Sequence, residues 1–390
     1  MQQANFRQKT KVPPFSLQSD GNSLYCYKML RLMSSCRKIT DFGELLLMKK
    51  RLLILLLAVL VLTGCAGASE PEASLSSSRY LTSMDTVMKL TAYGARRETA
   101  LDAAQAEILR LDSLLSTGLE TSEVSRLNRE GSACLSEDSE KLYRQSAALF
   151  ESTGGAFDIT VYPLVQLWGF STKQYHIPTE AELTEALSRV GASRIVFRPE
   201  SREIVLGQGQ AIDFGGIAKG YTSQRVIDIF QQEGIRSAMI SLGGNIQCLG
   251  SKPDGNPWKI GIRDPWDENG IYAAVQVVDK AVITSGGYER FFVDEATGKT
   301  YRHILDPRTG VPAESGLSSV SIVTADGTLG DGLSTALYIL GLEEASIYWR
   351  SHSDSFEAIL ICDDGSLYAT EGLKDRITSE HPIHWILKKA

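Results

Sequence analysis

Strand-like segments follow one another through the second half of the chain, and this pattern constrains the fold most. In order they are RIVFRP, EIVLG, AIDFG, SAMISLGG, WKIGIR, AAVQVVD, AVITSG and SSVSIVTA, between residues 194 and 325. A doubly wound sheet would need a helix after almost every strand, but here one helical pattern, 217–232, falls among them. We therefore predict an α+β fold in which mixed or antiparallel sheets are flanked by helices.

Amphipathic helical patterns lie mainly before and after this region. Apolar residues recur every three or four positions in 98–116, 136–155 and 180–191, and again in 331–341 and 343–352. No proline- or serine-rich break divides the chain after residue 80. We predict one domain over residues 80–388.

The N-terminal region has the pattern of an export signal. A basic start at Met48 precedes an apolar run from Leu52 to Leu62, which as a helix would span about 16 Å and is too short for a bilayer. The sequence LTGC resembles the lipobox of bacterial lipoproteins, which implies cleavage before Cys65 and lipidation of that cysteine. The alternative is an uncut signal anchor.

These features predict the organisation of the first 79 residues. Residues 1–47 form an unusually long stretch before a signal, so we expect translation to start at Met48 or this stretch to be disordered. Residues 48–64 would be the signal peptide, and 65–79 a lipidated cysteine with a flexible, Ser- and Ala-rich tether. The domain would then be held at the extracytoplasmic face of the cell membrane.

Composition excludes several classes of function. The formal net charge is −7, which gives no indication of nucleic-acid binding. Cys134, Cys248 and Cys362 are isolated, and no CxxC or Cys/His cluster occurs in the domain, which argues against zinc and thiol-redox sites. An exported protein could pair two of the three cysteines, and the spacing leaves the pairing open.

The segment TLGDGLSTALYILG, residues 328–341, carries a polar helical face. Asp331, Ser334, Thr335 and Tyr338 share the face opposite the apolar stripe. Taken alone, this pattern is as expected for a solvated face with an acid near the helix N-terminus.

The segment QAIDFGGIAKGYTSQRVIDIF, residues 210–230, predicts a strand that ends at Asp213, a glycine turn and a helix. Free N–H groups at the start of such a helix suit an anion such as a pyrophosphate. Neither the Walker nor the Rossmann spacing is present. The alternative is a tight corner with Lys219 on the surface.

The segment YRHILDPRTG, residues 301–310, combines a histidine with a turn. Asp306-Pro307 at its centre favours a type I turn. His303 precedes the turn and is a candidate proton acceptor, although a lone histidine is more often structural.

Taken together, these segments resemble the bacterial FAD:protein FMN transferases, the ApbE family. The matching motifs occur in order as TGGAFDITVYPLVQLWGF, IDFGGIAKGYTSQRVID, SLGGNIQCLG, TSGGYERFF, HILDPRTG and DGLSTALYILG, with SLLSTGLETSEVSRLN upstream. The resemblance extends from Met84 to about residue 370. It implies transfer of FMN from FAD to a Thr or Ser hydroxyl of an acceptor protein, with release of AMP and with Mg²⁺ as cofactor.

The same resemblance assigns residue roles. The implied metal ligands are Asp331, Thr335 and the backbone carbonyl of Gly216. The implied FAD site consists of Met84, Ala156, Phe157, Asp158, Asp213, Lys219 and Leu305. His303 is our candidate base, and Asp306 or a metal-bound water is the alternative.

The chain departs from the family pattern at three positions. Gly118 stands where relatives often have an aromatic residue, which places a flavin contact in doubt. Ser334 stands where some relatives have a carboxylate, and Lys219 where others have glutamate. These differences leave Asp331 and Thr335 in place.

Two other functions remain open at this level. The same site could pass the phosphoryl group to water as an FAD pyrophosphatase, or the protein could be a lipid-anchored flavin carrier without chemistry. The expected acceptor is a membrane or exported respiratory subunit. No interaction with nucleic acid is expected.

Overall fold

A computed structural model of the chain describes residues 74–389. Segment 1–47, signal segment 48–64, Cys65 and most of the tether lie outside this range. The α-helices are α1 (Arg97–Leu115), α2 (Glu123–Glu130), α3 (Glu137–Ser152), α4 (Tyr162–Leu167), α5 (Glu180–Leu187), α6 (Ala218–Gln232) and α7 (Gly327–His352). The strands are β1 (Ser76–Ser83), β2 (Thr86–Tyr93), β3 (Ser132–Cys134), β4 (Val196–Arg198), β5 (Glu203–Val205), β6 (Ser237–Leu242), β7 (Asn245–Leu249), β8 (Trp258–Arg263), β9 (Ile271–Val277), β10 (Ala281–Gly286), β11 (Phe291–Val293), β12 (Thr300–Arg302), β13 (Leu317–Thr324), β14 (Phe356–Cys362), β15 (Leu367–Thr370), β16 (Ile377–Ser379) and β17 (Ile383–Ile386).

The strands form one large and three small sheets. The large sheet has the order β1-β2-β6-β7-β10-β13-β14-β15-β17. Its neighbouring strands are antiparallel except β15 and β17, which are parallel. The small sheets are β16-β9-β8, β3-β5-β4 and the hairpin β11-β12. The predicted α+β class with mixed and antiparallel sheets is therefore confirmed.

Strand β13 shows why the sequence of this region is so apolar. Every residue of β13 is buried. Val320 and Ile322 pack with residues of α7, whereas Val323 packs with the sheet β16-β9-β8 on the opposite face. Alternate side chains of a strand point to opposite faces, so covering both faces buries both sets.

The helices follow the predicted periodicity. In α1, buried Leu101, Ile108 and Leu111 recur at helical spacing. Leu101 and Ile108 lie in one cluster with Met88 and Leu90 of β2. Gly341, inside α7, has φ 78° and interrupts the helical backbone. This break agrees with the predicted division into two helical patterns, 331–341 and 343–352.

The strand predicted for AIDFG is wrong. Residues 211–214 form an extended loop outside every sheet. The backbone N–H and C=O of Ile212 are bound by the Asn128 side chain, and the N–H of Asp213 donates to the carbonyl of Ile159. A side-chain amide thus takes the place of a neighbouring strand and satisfies these buried backbone groups.

The structure also bears on disulfide pairing and on membrane-spanning helices. Cys134, Cys248 and Cys362 form no disulfide with one another within residues 74–389. No helix within residues 74–389 has the length and hydropathy required to cross a membrane.

Candidate active site

The glycine-rich motifs meet at one end of the large sheet, where α6 and α7 begin. The turn between β6 and β7 touches the start of β2, because a Cβ placed on Gly243 would lie 2.2 Å from Oγ1 of Thr86. Asn245, at the start of β7, bonds to Asp331 in the first turns of α7. Residues separated by up to 247 positions in sequence, from Met84 to Asp331, therefore line one end of the sheet.

Asp331 is the buried carboxylate of this region, with 3% of its surface exposed. Its Oδ2 accepts a 2.8 Å hydrogen bond from the N–H of Gly220, and its Oδ1 accepts one of 2.9 Å from the side chain of Asn245. Burial raises the pKa of Asp331, and the positive charge of Lys219 together with the hydrogen bonds opposes this shift. The N–H of Lys219 is a third donor to this carboxylate, so at least one of its four lone pairs stays available.

A close approach of α6 and α7 fixes Asp331 in this position. A Cβ on Gly220 would lie 2.2 Å from the carbonyl oxygen of Gly327 and 2.6 Å from Cβ of Asp331. Only glycine allows the two helices to come so near. The start of α6 thereby directs backbone N–H groups at the Asp331 carboxylate, which is favourable for the helix dipole.

Hydroxyl groups lie next to Asp331 on the same helical face. Ser285, in β10, lies 3.2 Å from Oγ1 of Thr335 and 2.7 Å from Oγ of Ser334. Ser334 also donates to the carbonyl of Asp331. A Cβ on Gly216 would be 4.0 Å from Oγ1 of Thr335, so the turn before α6 borders the same hydroxyl. The structure thus brings together the three residues predicted as metal ligands.

Lys219 lies in the first turn of α6, at the centre of the charged groups. Its positive charge counteracts the desolvation that raises the pKa of Asp213, Glu289 and Asp331. Arg290 acts in the same direction on Asp213 and Glu289. Among residues 74–389, neither Lys219 nor Arg290 forms a direct ion pair, and both act on these carboxylates at longer range.

His303 follows β12 and lies beside these cations. Its Nδ1 is 3.0 Å from the carbonyl oxygen of Arg290, and a carbonyl can only accept, so Nδ1 bears the proton. Desolvation, followed by the charge of Arg290, lowers the pKa of His303 to about 4. The imidazole is therefore neutral at pH 7, and no group within residues 74–389 occupies the lone pair of Nε2, which can accept a proton.

Asp306 and Leu305 have structural partners. Both carboxylate oxygens of Asp306 accept bonds from Arg308, and the Asp306 carbonyl accepts the N–H groups of Thr309 and Gly310 in the predicted turn. The side chain of Leu305 is buried in the cluster that contains Trp168. The pairing with Arg308 leaves Asp306 poorly placed as a base and favours His303.

The segment 156–158 supports the site from behind. Ala156 is fully buried, and Phe157 lies 3.2 Å from a Cβ placed on Gly216. The carboxylate of Asp158 is used internally, accepting bonds from Thr160 and from the N–H of Ala192. The Asp158 carboxylate therefore has a structural role in joining Thr160 to Ala192.

Met84 lies in the turn after β1, and Asp213 lies in the loop before α6. Met84 has φ 49° in the turn after β1, and its N–H is held by Asp112. The hydroxyl of Thr222 in α6 lies 3.7 Å from its sulfur. Asp213 is half-buried, and its Oδ1 accepts the N–H of Gly215.

A cavity of about 300 Å³ opens beside Gly118. Its lining consists of Thr117, Gly118, Glu120, Ser125, Asn128, Arg129, Tyr162, Gln166 and Ala211. A Cβ on Gly118 would meet only Oγ of Ser116, at 3.8 Å. The space beside Gly118, where the resemblance implied an aromatic side chain, is therefore open. Tyr162 is the aromatic residue that lines the cavity.

Four residues of the site were not singled out from the sequence. Asn245 follows the glycines of SLGGN, and Ser285, Glu289 and Arg290 belong to TSGGYERFF. In both motifs, the polar residues beside the glycines were the available signal.

The donor set fits a small, hard cation. In residues 74–389, no three His, Cys, Asp or Glu side chains form a metal-binding group. The site instead offers one carboxylate with a neighbouring hydroxyl, and Mg²⁺ commonly binds one or two carboxylates together with waters and substrate phosphates. The raised pKa of Asp331 reflects a buried charge that a bound cation would stabilise.

Comparisons with known proteins agree in family and fold. The ApbE family model matches residues 84–360. The FAD:protein FMN transferase of Treponema pallidum is 33% identical over 314 residues, which are 75% of this chain and 86% of the relative. That of Salmonella typhimurium is 30% identical over 331 residues, covering 81% and 93%. The crystal structure of the ApbE protein from Thermotoga maritima has a TM-score of 0.72 at 30% identity and covers 77% of this chain and 98% of that one. The flavin transferase ApbE from Vibrio cholerae has a TM-score of 0.68 at 27% identity, covering 77% and 100%.

Proposed function

This chain belongs to the ApbE family, and we propose that it transfers FMN from FAD to a Thr or Ser hydroxyl of an acceptor protein, releasing AMP. The observation that carries the proposal is the convergence of Asp331, Thr335, Lys219 and His303 at the start of α6 and α7. A flavin carrier would need the cations but neither the buried carboxylate nor the neutral imidazole.

FAD would bind with its pyrophosphate against the start of α6. The unpaired charges of Lys219 and Arg290 favour an anion there. Within residues 74–389, Oδ2 of Asp213 has no hydrogen-bond partner and could accept a hydrogen bond from a ribose hydroxyl. The cavity beside Gly118, with Tyr162 in its wall, offers space for a ring system of the substrate.

Mg²⁺ would be held by Asp331, Thr335 and the carbonyl of Gly216. When bound, it would neutralise charge on the pyrophosphate and on the departing phosphate. Ser285 bonds to Thr335 and would orient its hydroxyl.

The proposed transfer is an in-line substitution at the phosphorus of the FMN half. The acceptor hydroxyl gives its proton to Nε2 of His303 as its oxygen forms a bond to that phosphorus. The bond from this phosphorus to the bridging oxygen breaks, and AMP leaves with that oxygen. The Nδ1 bond to Arg290 keeps Nε2 unprotonated before the reaction.

We also propose that the protein is exported and anchored to the membrane through Cys65. The support is the LTGC motif after a short apolar run with a basic start. Acceptors would then be proteins exposed on the same side of the membrane.

The test uses purified protein, FAD, Mg²⁺ and a small acceptor domain that carries a target threonine. After denaturation, flavin fluorescence on the acceptor band and the amount of AMP are measured. We expect fluorescent acceptor and one AMP per label, both lost with EDTA or with Asp331→Ala.

The other outcomes separate the alternatives. AMP and free FMN in equal amounts with and without acceptor would indicate a pyrophosphatase. FAD binding without either product would indicate a carrier and would contradict the proposal.

A further inference from the structure

Tyr338 is the fourth residue on the polar face of α7, and the proposed function gives it no role. It follows Thr335 by three residues, and its side chain is fully buried. Its hydroxyl accepts a 3.0 Å hydrogen bond from Nη1 of Arg302, the last residue of β12. Arg302 immediately precedes His303. A hydrogen bond therefore joins the helix that carries the proposed metal ligands to the strand that leads into the candidate base.

The guanidinium of Arg302 also reaches two further elements. Its Nη1 and Nη2 donate to Oδ1 of Asp363, in the turn after β14, at 3.3 and 3.2 Å. Its Nη1 lies 3.4 Å from the carbonyl oxygen of Leu317, at the start of β13. The same oxygen of Asp363 accepts a 2.6 Å bond from the hydroxyl of Ser318. Because a guanidinium presents several donors in fixed directions, Arg302 ties the hairpin β11–β12 to α7, to β13 and to this turn at once.

A glycine makes room for the contact between Arg302 and Tyr338. A Cβ on Gly287, which follows β10, would lie 2.3 Å from Cδ of Arg302 and 2.6 Å from the hydroxyl of Tyr338. A side chain at this position would displace one of the two. Gly287 comes two residues after Ser285, which bonds to Thr335. The segment TSGGYERFF therefore contacts both a proposed metal ligand and the Arg302–Tyr338 pair.

His303 is held inside the hairpin. Its backbone N–H and its Nδ1–H both donate to the carbonyl of Arg290, just before β11. Within residues 74–389, this hairpin pairs with no strand of the large sheet. Ile304, which follows His303, is buried in the core cluster that contains Tyr338, and Arg302, which precedes it, bonds to the same tyrosine. The position of the imidazole relative to α7 therefore depends on the contacts of these two neighbours.

We infer that Arg302 and Tyr338 form a positioning pair, which sets the distance between His303 and the proposed metal ligands on α7. This inference rests on the proposed function, in which Nε2 of His303 takes the proton of the acceptor hydroxyl. Such a transfer needs the two atoms within about 2.6–3.2 Å, so a small displacement of the imidazole slows it. Arg302 acts through position and not through charge, because the cations that lower the pKa of His303 are Arg290 and Lys219.

The experiment replaces Arg302 and a matched arginine elsewhere. Arg302→Gln removes the guanidinium that reaches Tyr338 and Asp363. Arg225→Gln is the control, because its side chain is 32% exposed, against 33% for Arg302, and joins α6 to Glu107 of α1 by an ion pair. Labelling of the acceptor domain with FMN gives kcat and the KM for FAD. We expect Arg302→Gln to lower kcat about tenfold or more with KM within about twofold, and Arg225→Gln to leave both within about twofold.

A double-mutant cycle separates a positioning role from a purely structural one. In a His303→Gln background, where the slow release of AMP is followed over hours, Arg302→Gln should lower the rate no further, because it acts through the missing imidazole. A structural role would lower the rate by the same factor in both backgrounds. Tyr338→Phe, which removes only the hydroxyl that Arg302 binds, is a second variant and should lower kcat in the same direction.

The results distinguish this inference from the proposed function. The positioning pair would be overturned, and the transferase left intact, by unchanged kcat in both Arg302→Gln and Tyr338→Phe or by an equal loss in Arg225→Gln. A loss confined to the KM for FAD, or equal losses with and without His303, would overturn it as well. Absence of FMN labelling by the wild-type protein would overturn the proposed function and this inference with it.

Discussion

The backbone N–H of Gly220, in the first turn of α6, donates a 2.8 Å hydrogen bond to Oδ2 of Asp331 in α7. This bond joins the two helices whose N-termini build the candidate site. It also places the carboxylate where Lys219 and Asn245 can reach it.

Gly220→Ala should destabilise the protein by about 2 kcal/mol or more, because the added methyl would overlap Gly327 and Asp331. The free energy of unfolding, measured with denaturant, tests this. Gly118→Ala is the control, since its Cβ meets nothing closer than 3.8 Å, and we expect a change within about 0.5 kcal/mol. Equal stability of the two variants would contradict the close helix contact.

Asp331→Asn should reduce FMN transfer about 100-fold or more and weaken Mg²⁺ binding, because the site's carboxylate is lost. The fold should remain, since the amide oxygen can still accept the N–H of Gly220. Calorimetric titration with Mg²⁺ and thermal unfolding are the measurements. A variant that keeps Mg²⁺-dependent transfer would exclude Asp331 as a metal ligand.

Thr335 allows a matched pair of variants. Thr335→Ser keeps the hydroxyl and should retain most activity, whereas Thr335→Val removes it with little change in volume and should raise the Mg²⁺ concentration needed for half-maximal transfer about tenfold or more. If both variants respond alike to Mg²⁺, the hydroxyl is not a ligand.

His303 should titrate with a pKa of about 4 in the free protein, well below its usual 6.5, so the base form needed for transfer persists as pH falls from 7 toward 5. Bound FAD should raise this pKa, because the pyrophosphate offsets Arg290 and Lys219. Arg290→Gln should raise it as well. NMR titration of the imidazole measures these shifts, with His303→Gln to assign the signal. A pKa near 6.5 in the free protein would contradict the proposed environment.

The same shift affects stability in acid. The unfolded chain binds a proton at His303 near pH 6.5 and the folded protein only near 4. This contribution to stability is complete above pH 6.5 and is lost as the pH falls toward 4. His303→Gln should therefore unfold with a weaker pH dependence between these values, measured by denaturant titration at several pH values.

Asp158→Ala should lower stability by about 1–3 kcal/mol, because three donors on Thr160 and Ala192 lose their acceptor. Affinity for FAD, measured at a temperature where the variant is folded, should change little. A large loss of FAD affinity with unchanged stability would instead indicate a direct contact of the carboxylate.

The polar face of α7 could be read from the sequence, whereas its environment could not. Asp331 and Thr335 are one helical turn apart, so helical periodicity alone places them together. Asn245 and Ser285 contact them from β7 and β10, which lie far away in sequence. A glycine corner gives no local indication of which distant side chain it will meet.

The AIDFG segment shows the opposite case, where local pattern misled. Its alternating apolar residues favour a strand, but Asn128 of α2 bonds both backbone groups of Ile212. Tertiary contacts thus override local propensity at the approach to Asp213.

The sequence by itself determined the α+β class, the helix positions and the motifs that resemble the ApbE family, because these depend on periodicity and on residue order. Only the tertiary structure decided that Asp306 is paired with Arg308, that Asp158 is used internally, and that His303 is neutral beside Arg290. Hydrogen-bond partners and desolvation depend on which groups the fold brings together, and local sequence does not encode those distances.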